Sequence, residues 1–364
     1  MKDKLGWYNS IIKYDLDALR YNYELLKLKT APADVAAVLK ANAYGADVNY
    51  IAPILEDAGC RWFFVADWVE AFSLESILKN PQSRVAVLGG IRTSQVSLQW
   101  PERIVPVIND YKSLCILSTL KKDKIIPIIL QCDTGLHRLG LNGTEIEILK
   151  KDKSILDAFD IQFYMSHCIE PDNVIPDIAL KQKNTLDSLI VDLPPAPITF
   201  SNSGIFSLDI NLMSDMIRAG ESLYGVTAFT DRLSDLRPVI SWHASILKIG
   251  AAQIGDGFGY NSKTIAARPT IYATIGVGYA DGLLPEYKKP LDFYIHGFRC
   301  PVLGSISMDL TIIDVTDVPA DKLSNDSMVE ILGINQDLNQ LSEKFGMPPH
   351  EIMVHLSRRA QRQY

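Results

Sequence analysis

The sequence predicts a (β/α)8 barrel of the TIM type followed by a mostly β C-terminal domain, and three observations predict it. Eight short apolar runs between residues 34 and 218 alternate with stretches of helical periodicity, the order of a parallel sheet with crossover helices. These units fill roughly 200 residues, the size of one closed barrel. Near residue 235 the grammar changes to short segments that alternate apolar and polar residue by residue, with Gly and Pro turns between them. An open doubly wound sheet is the alternative for the first part, but its first strand-to-helix turn carries no G-x-G-x-x-G. The expected domains are 12–235 for the barrel and 236–364 for the β domain. An N-terminal strand within about 1–11 is open to joining the second.

Each element has its own warrant. Residues 11–14 are short and β-like, and 15–29 form an amphipathic helix with Leu16, Leu19, Tyr23 and Leu26 at helical spacing. The run 34–39 is apolar after its opening Asp34, as expected of a strand buried on both faces. Helical stretches at 49–58, 68–78, 94–100, 111–121, 143–150 and 176–191 alternate with strands at 61–66, 84–88, 103–108, 124–131, 161–166 and 198–200. A weaker helix at 204–208 and a strand at 216–218 complete the eight units. Beyond 240, strands are expected at 241–249, 270–275, 291–295, 300–303, 311–315 and 327–332. A helix at 338–345 and a basic helical tail through 358–362 end the sequence.

Composition narrows the function classes. The chain has 364 residues, 47% of them hydrophobic, enough for a large core. Its net charge of −7 and the lack of a basic run offer nothing to nucleic acid. Five scattered cysteines without a C-x-x-C pair suit reduced thiols, not a disulfide framework or a zinc site. No run approaches the roughly 18 apolar residues of a membrane span, and the N-terminus has no signal-peptide core. The expectation is a cytoplasmic protein with no membrane partner and no metal.

In a barrel of this kind, functional side chains sit at the C-terminal ends of the strands. Applied here, the rule gathers Lys40 and Tyr44, then Gln131 to Gly135 with Arg138, then His167, then Asn202 and Ser203, then Arg218, Gly220 and Glu221. A lysine at the edge of a buried strand loses hydration, which lowers its pKa and suits it to form Schiff bases. The same lysine could equally run its stem along the surface to solvent. Ser203 and Gly220-Glu221 offer backbone N–H groups to a phosphate. His167 is suited either to lie against an aromatic ring or simply to pack. Arg218 is suited either to face a ring nitrogen or to pair with a carboxylate, and Arg138 either to meet an anionic oxygen or to sit in solvent. In the second domain, Tyr279 lies in a Gly-flanked turn, and 304–309 forms another inter-strand loop.

Assembled, these residues resemble alanine racemase, a pyridoxal-phosphate enzyme of fold type III, over nearly the whole chain. The resemblance rests on Leu39-Lys40-Ala41-Asn42-Ala43-Tyr44-Gly45, on the Asp133 to Gly140 stretch, and on Arg218-Ala219-Gly220-Glu221 with the residues to Gly225. Gly278-Tyr279-Ala280-Asp281-Gly282, Ser307-Met308-Asp309 and the closing Arg359 and Arg362 add to it. It implies that Lys40 holds pyridoxal 5'-phosphate as a Schiff base, and that Tyr44, Asn202, Ser203, Gly220 and Glu221 bind the phosphate end. It further implies that His167 packs by the ring, Arg218 meets the pyridine nitrogen and Arg138 the phenolic oxygen. Lys40 and Tyr279 are then the two catalytic bases. Arg138, Met308 and Asp309 would lie near an amino acid substrate. Tyr279, Met308 and Asp309 would come from the other subunit of a head-to-tail homodimer with shared sites. The activity implied is interconversion of L- and D-alanine, supplying D-alanine for peptidoglycan.

Three departures from the family pattern stand out. Gln131 occupies a position often held by a carbamylated lysine. Ser305 and Ser307 replace an arginine and a cysteine, and Arg358 aligns with a tyrosine that reaches the phosphate in some members. They leave two alternatives: a racemase of the same fold with a broader or different amino acid, serine for example, or a degenerate cofactor-binding homologue.

Overall fold

The chain is described here from a computed structural model over residues 7–95, 99–120, 125–169, 176–204, 212, 214–226, 234–356 and 358–364. Strand β1 (Ser10–Tyr14) and helix α1 (Leu16–Thr30) come first. Eight parallel strands follow: β2 (Asp34–Val38), β3 (Trp62–Val65), β4 (Arg84–Val87), β5 (Ile104–Ile108), β6 (Ile126–Gln131), β7 (Phe159–Met165), β8 (Ile198–Thr199) and β9 (Met216–Ala219). They hydrogen-bond in the order β8-β7-β6-β5-β4-β3-β2-β9. A further bridge between Asn202 and Arg218 joins the two ends of that order into a nearly closed barrel.

Runs such as Val-Ala-Ala-Val and Ile-Val-Pro-Val-Ile are buried on both faces, as strands covered by helices must be. Ala36, Ala86, Phe64, Val105, Ile129 and Phe163 pack into one inner cluster, small residues beside large ones, so the interior is filled. The intervening segments are α2 (Lys40–Tyr44), α3 (Val48–Asp57), α4 (Trp68–Ile77), α5 (Tyr111–Leu120), α6 (Gly143–Lys151) and α7 (Pro176–Ile190). Of the helix expected over 94–100, Thr93–Gln95 forms one 3-10 turn, and 96–98 lie outside the described residues. The helix expected over 204–208 lies outside them from 205 onward.

The second unit is built on β10 (Ile240–Ala252), which pairs with β1 and with β17 (Met328–Leu332). A register shift between Ile246 and Lys248 bends β10, and its second half pairs with β13 (Thr270–Ile275). With β14 (Asp292–Ile295), β15 (Phe298–Leu303) and β16 (Thr311–Asp314), the order β13-β16-β15-β14-β17-β10 closes on itself as an antiparallel barrel. Trp242, Phe293, Ile295 and Ile331 fill it. A small hairpin joins β11 (Gly257–Phe258) to β12 (Thr264–Ile265). Helices α8 (Leu338–Phe345) and α9 (Pro349–His355) follow, the first held by a capping box from Asp337.

The tail corrects an expectation. Residues 361–363 are not helical but form β18 (Gln361–Gln363), parallel to β1. Pairing with a distant strand overrides the local helical preference of the basic run, and Tyr364 stacks on Tyr14 with ring centroids 5.2 Å apart. By compactness the chain divides into Leu19–Arg237 and Met1–Ala18 with Pro238–Tyr364. Among the described residues no helix is long and apolar enough to cross a membrane.

Candidate active site

Lys40 lies two residues past the end of β2 and opens α2, which is a left-handed turn. Ala41, Asn42, Ala43 and Tyr44 have φ of 54°, 54°, 57° and 54°. Left-handed backbone costs roughly 1–2 kcal/mol per L-residue, so the turn must be held from outside. Inside it, Ala43 N–H donates to the Leu39 carbonyl and Gly45 N–H to the Ala41 carbonyl, both at 2.8 Å. The Tyr224 hydroxyl donates to the Ala43 carbonyl at 2.6 Å, and the Asn42 side chain accepts from Val48 N–H at 3.0 Å. The Glu70 carboxylate accepts from the Asn42 amide at 3.2 Å and from the Ala66 amide at 2.8 Å. The Lys40 amine is pushed below its ordinary pKa, first by burial and then by the charge of Arg138. Arg218 adds to this, and Glu70 and Glu221 oppose it. The side chain still meets solvent.

Arg218, on β9, has both terminal nitrogens engaged and is almost inaccessible. One terminal nitrogen donates to the Thr199 carbonyl and hydroxyl, each at 2.7 Å; the other donates to the Ser166 carbonyl at 2.8 Å and reaches His167 Nδ1 at 3.3 Å. No carboxylate pairs with it among the described residues, and burial alone pushes it down to about 10. At neutral pH it therefore keeps its proton. A guanidinium has only donors, so His167 Nδ1 must accept and the imidazole proton sits on Nε2. Burial, then the charges of Arg218, Arg138 and Lys40, push the His167 pKa down to about 3, so the ring is neutral.

Hydroxyls gather where β9 ends. Ser203 Oγ accepts from Gly220 N–H at 2.9 Å and lies 3.1 Å from Ser222 Oγ. A Cβ on Gly220 would stand 2.5 Å from the Tyr44 hydroxyl, so a bare α-carbon is what lets Tyr44 reach in. Burial raises the Tyr44 pKa, and its hydroxyl remains a donor. The Asn202 side chain accepts from Gly204 N–H at 3.2 Å and shapes the same turn. Glu221 begins the short 3-10 turn Glu221–Tyr224. Neutral hydroxyl donors around the start of a helical turn form a cradle suited to a phosphate dianion.

The Arg138 loop is fixed at its base. Burial pushes the Asp133 carboxyl up, but the amides of Gly135 and His137 and the His137 ring outweigh it and hold its pKa low. Gln131 is buried, and its side-chain N–H donates to the Leu139 carbonyl at 3.0 Å. Where a carbamylated lysine would present an anionic acceptor, this chain presents a neutral donor to the loop backbone. Gln182, on α7, joins the loop to the end of β7 by donating to Thr134 Oγ1 at 3.0 Å and to the His167 carbonyl at 3.1 Å.

In the other unit, Tyr279 N–H donates to the Ser307 carbonyl and Ala280 N–H to the Met308 carbonyl, both at 3.0 Å. The loops are so close that a Cβ on Gly278 would run into the Ser307 and Met308 carbonyls. Asp281 is buried and grips Gly278 N–H at 3.0 Å. Arg359 forks onto both Asp281 oxygens at 3.0 and 2.7 Å, and its remaining arm reaches Asp309 at 2.7 Å. Tyr279 and Met308 stay 42% and 54% exposed.

The barrel unit thus brings together Lys40, Arg138, His167, Arg218 and Glu221 within electrostatic reach, with Tyr44, Asn202, Ser203 and Gly220 around the cradle. The β unit brings together Tyr279, Met308 and Asp309. Sequence reading passed over Glu70, Thr199 and Gln182. Only the Asp67-x-x-Glu70 spacing carried a signal, and it reads as an ordinary helix cap.

Comparison with known proteins accounts for both sets. The family described as alanine racemase, N-terminal domain, matches residues 14–228, and that described as alanine racemase, C-terminal domain, matches 239–364. The alanine racemase of Brucella abortus is 33% identical over 97% of this chain and 93% of its own length. The catabolic alanine racemase of Agrobacterium fabrum is 33% identical over 96% and 90%. The crystal structure of alanine racemase from Bartonella henselae, with covalently bound pyridoxal phosphate, superposes with a TM-score of 0.92 at 33% identity, covering 98% of this chain and 99% of that one. The biosynthetic alanine racemase of Pseudomonas aeruginosa gives 0.89 at 25% identity, covering 98% and 99%. With both domain families matched end to end and relatives alike over nearly their full lengths, this chain belongs to the alanine racemase family.

Proposed function

We propose that this chain is a pyridoxal-phosphate-dependent isomerase that interconverts L- and D-alanine in the cytoplasm and supplies D-alanine for peptidoglycan. The observation that carries the reading is the Lys40 amine, pushed toward its neutral form among Arg138, Arg218 and the neutral His167. The residues present fit the cofactor. Lys40 would carry it covalently, and Tyr44, Asn202, Ser203, Gly220 and Glu221 would hold its phosphate. Arg218 would donate to the ring nitrogen, Arg138 would meet the phenolic oxygen and His167 would pack by the ring. When bound, pyridoxal phosphate spreads into its ring the electron pair left by loss of the substrate's α-proton.

The chain's own residues then divide the proton work. Lys40 takes or returns the α-proton on one face, and Tyr279 of the partner subunit returns or takes it on the other. Two bases on opposite faces invert the centre without turning the substrate over. Arg218 does not give up its proton near neutral pH, so it cannot protonate the ring nitrogen as a carboxylic acid would. That keeps the electron sink shallow and disfavours side reactions such as transamination. Met308 and Asp309, from the same subunit as Tyr279, would line the substrate together with Arg138, in a head-to-tail homodimer with two shared sites.

Incubation of the purified chain with pyridoxal phosphate and L-alanine, read by chiral chromatography, tests the reading. D-alanine rising to equal amounts is the expected result. Its absence, with turnover of another amino acid such as L-serine, moves the chain to a different substrate; no turnover of any sinks the racemase reading.

A further inference from the structure

Glu70 occupies the position in α4 where a capping box is expected. The Asp67 side chain accepts from Glu70 N–H at 2.9 Å, the first half of the box. The reciprocal half would run from the Glu70 carboxylate to the Asp67 amide. Instead one Glu70 oxygen accepts from Asn42 N–H at 3.2 Å and the other from Ala66 N–H at 2.8 Å. A group that could have closed its own helix is spent on the Lys40 turn and on the residue that follows β3. Asn42 lies in the middle of the left-handed segment, so its amide is where an outside acceptor constrains the turn most directly. Bonds from amides to a carboxylate are charge-assisted and among the stronger ones.

We infer that Glu70 is the positioning residue of the Lys40 turn: its carboxylate fixes the left-handed backbone through the Asn42 amide and sets a negative charge within reach of the Lys40 amine. The inference rests on the reading of Lys40 as the cofactor-bearing, proton-moving amine. The charged and titratable groups that face that amine are Arg138 from the loop after β6, Arg218 from β9, Glu221 from the turn after β9, and Glu70 from α4. His167, after β7, feels the same amine. Among the described residues two cations and two anions act on the Lys40 charge, and loss of Glu70 leaves two against one. Glu70 therefore holds the amine's position and also limits how far its proton affinity falls.

The test uses the full chain before cofactor is added. Amide hydrogen exchange reads the Asn42 bond, and labelling of Lys40 by trinitrobenzenesulfonate across a pH series, read by mass spectrometry, gives the amine's midpoint. Glu70→Gln is expected to speed exchange at Asn42 about tenfold and to move the Lys40 midpoint to lower pH. Glu70→Asp, charged but shorter, is expected to speed exchange while keeping the midpoint nearer the parent value. Asp67→Ala removes the cap of α4 and leaves both Glu70 bonds, so it is expected to lower the melting temperature and leave Lys40 unmoved. Parent-like exchange and midpoint in Glu70→Gln overturn the inference, as does Asp67→Ala shifting both as far as Glu70→Gln does. Should Glu70→Gln not fold, parent-like exchange at Asn42 in Glu70→Asp overturns it. None of these readouts needs turnover, so failure to form D-alanine strikes the functional reading alone.

Discussion

In the barrel unit, Lys40 sits on a left-handed turn braced from outside, and Arg218 and the Gln182 network tie the neighbouring strand ends together. In the β unit, Tyr279 is held by two backbone hydrogen bonds to the facing loop and by the fork of Arg359 on Asp281. The first arrangement uses strain and buried charge to fix an amine and a guanidinium within a nearly closed barrel. The second relies on one buried carboxylate, Asp281, and leaves Tyr279 and Met308 open on the surface of their own unit. A cofactor pocket needs its polar groups fixed before the ligand arrives, because reorganising them would cost binding energy. On the proposed reading Tyr279 completes a site across a subunit boundary, and such a residue needs a firm backbone and a side chain left accessible until the partner meets it.

The sharpest way to break this comparison is to separate the two halves genetically. Tyr279→Phe is expected to lower racemisation by about 10²–10⁴-fold, the range for loss of a positioned acid or base, while still binding cofactor. Lys40→Ala is expected to abolish it. Coexpressing the two variants should restore about a quarter of the parent sites if each site draws on both subunits of a twofold dimer. Activity no higher than in either variant alone would show that the halves are not shared.

The two crowded glycines sharpen it next. Gly278→Ala pushes a methyl into backbone carbonyls that cannot move, and overpacking of that kind costs about 1–3 kcal/mol. Gly220→Ala meets the tip of one side chain, Tyr44, which can swing away. The expected outcome is a clear fall in melting temperature for Gly278→Ala and a small one for Gly220→Ala, with the cofactor's dissociation constant rising only for the latter. Equal melting shifts would count against the distinction.

The smallest effect is one of pH. His167 is neutral in the folded chain, with its pKa pushed down to about 3, whereas the unfolded chain takes a proton near 6.5. Its contribution to stability is therefore complete above about 6.5 and is lost as pH falls from there toward 3. The melting temperature of His167→Asn should decline less steeply through that window than that of the parent. Parallel declines would mean the imidazole does not carry the effect.

All eight barrel strands and six β-unit strands were legible in the sequence, because runs such as 35–38 and 104–108 are apolar on both faces and segments such as 270–275 alternate. The positions of Lys40, Arg138, His167 and Arg218 followed from the rule for strand ends. The left-handed turn was not legible. Ala41 to Tyr44 includes no glycine, only Asn42 has any local tolerance for that backbone, and the groups that hold it come from residues 70 and 224. β18 was misread for a related reason, since its partner, β1, lies at the other end of the sequence. Thr199 read only as a β-former near the end of a strand; its bond to Arg218 depends on barrel closure, which no local pattern encodes.

The pairing of β1 with β10 sets an order of events during synthesis. Ile12 lies opposite Trp242, so the strand leaves the ribosome more than two hundred residues before its antiparallel partner exists. At about 5–20 residues per second that is a wait of some tens of seconds. The strands that make up the parallel barrel are all complete within that interval. β18, the parallel neighbour of β1, is made later still. β1, made before every barrel strand, is thus among the last to be satisfied, and until then its alternating apolar face and unpaired amides are open to wrong partners.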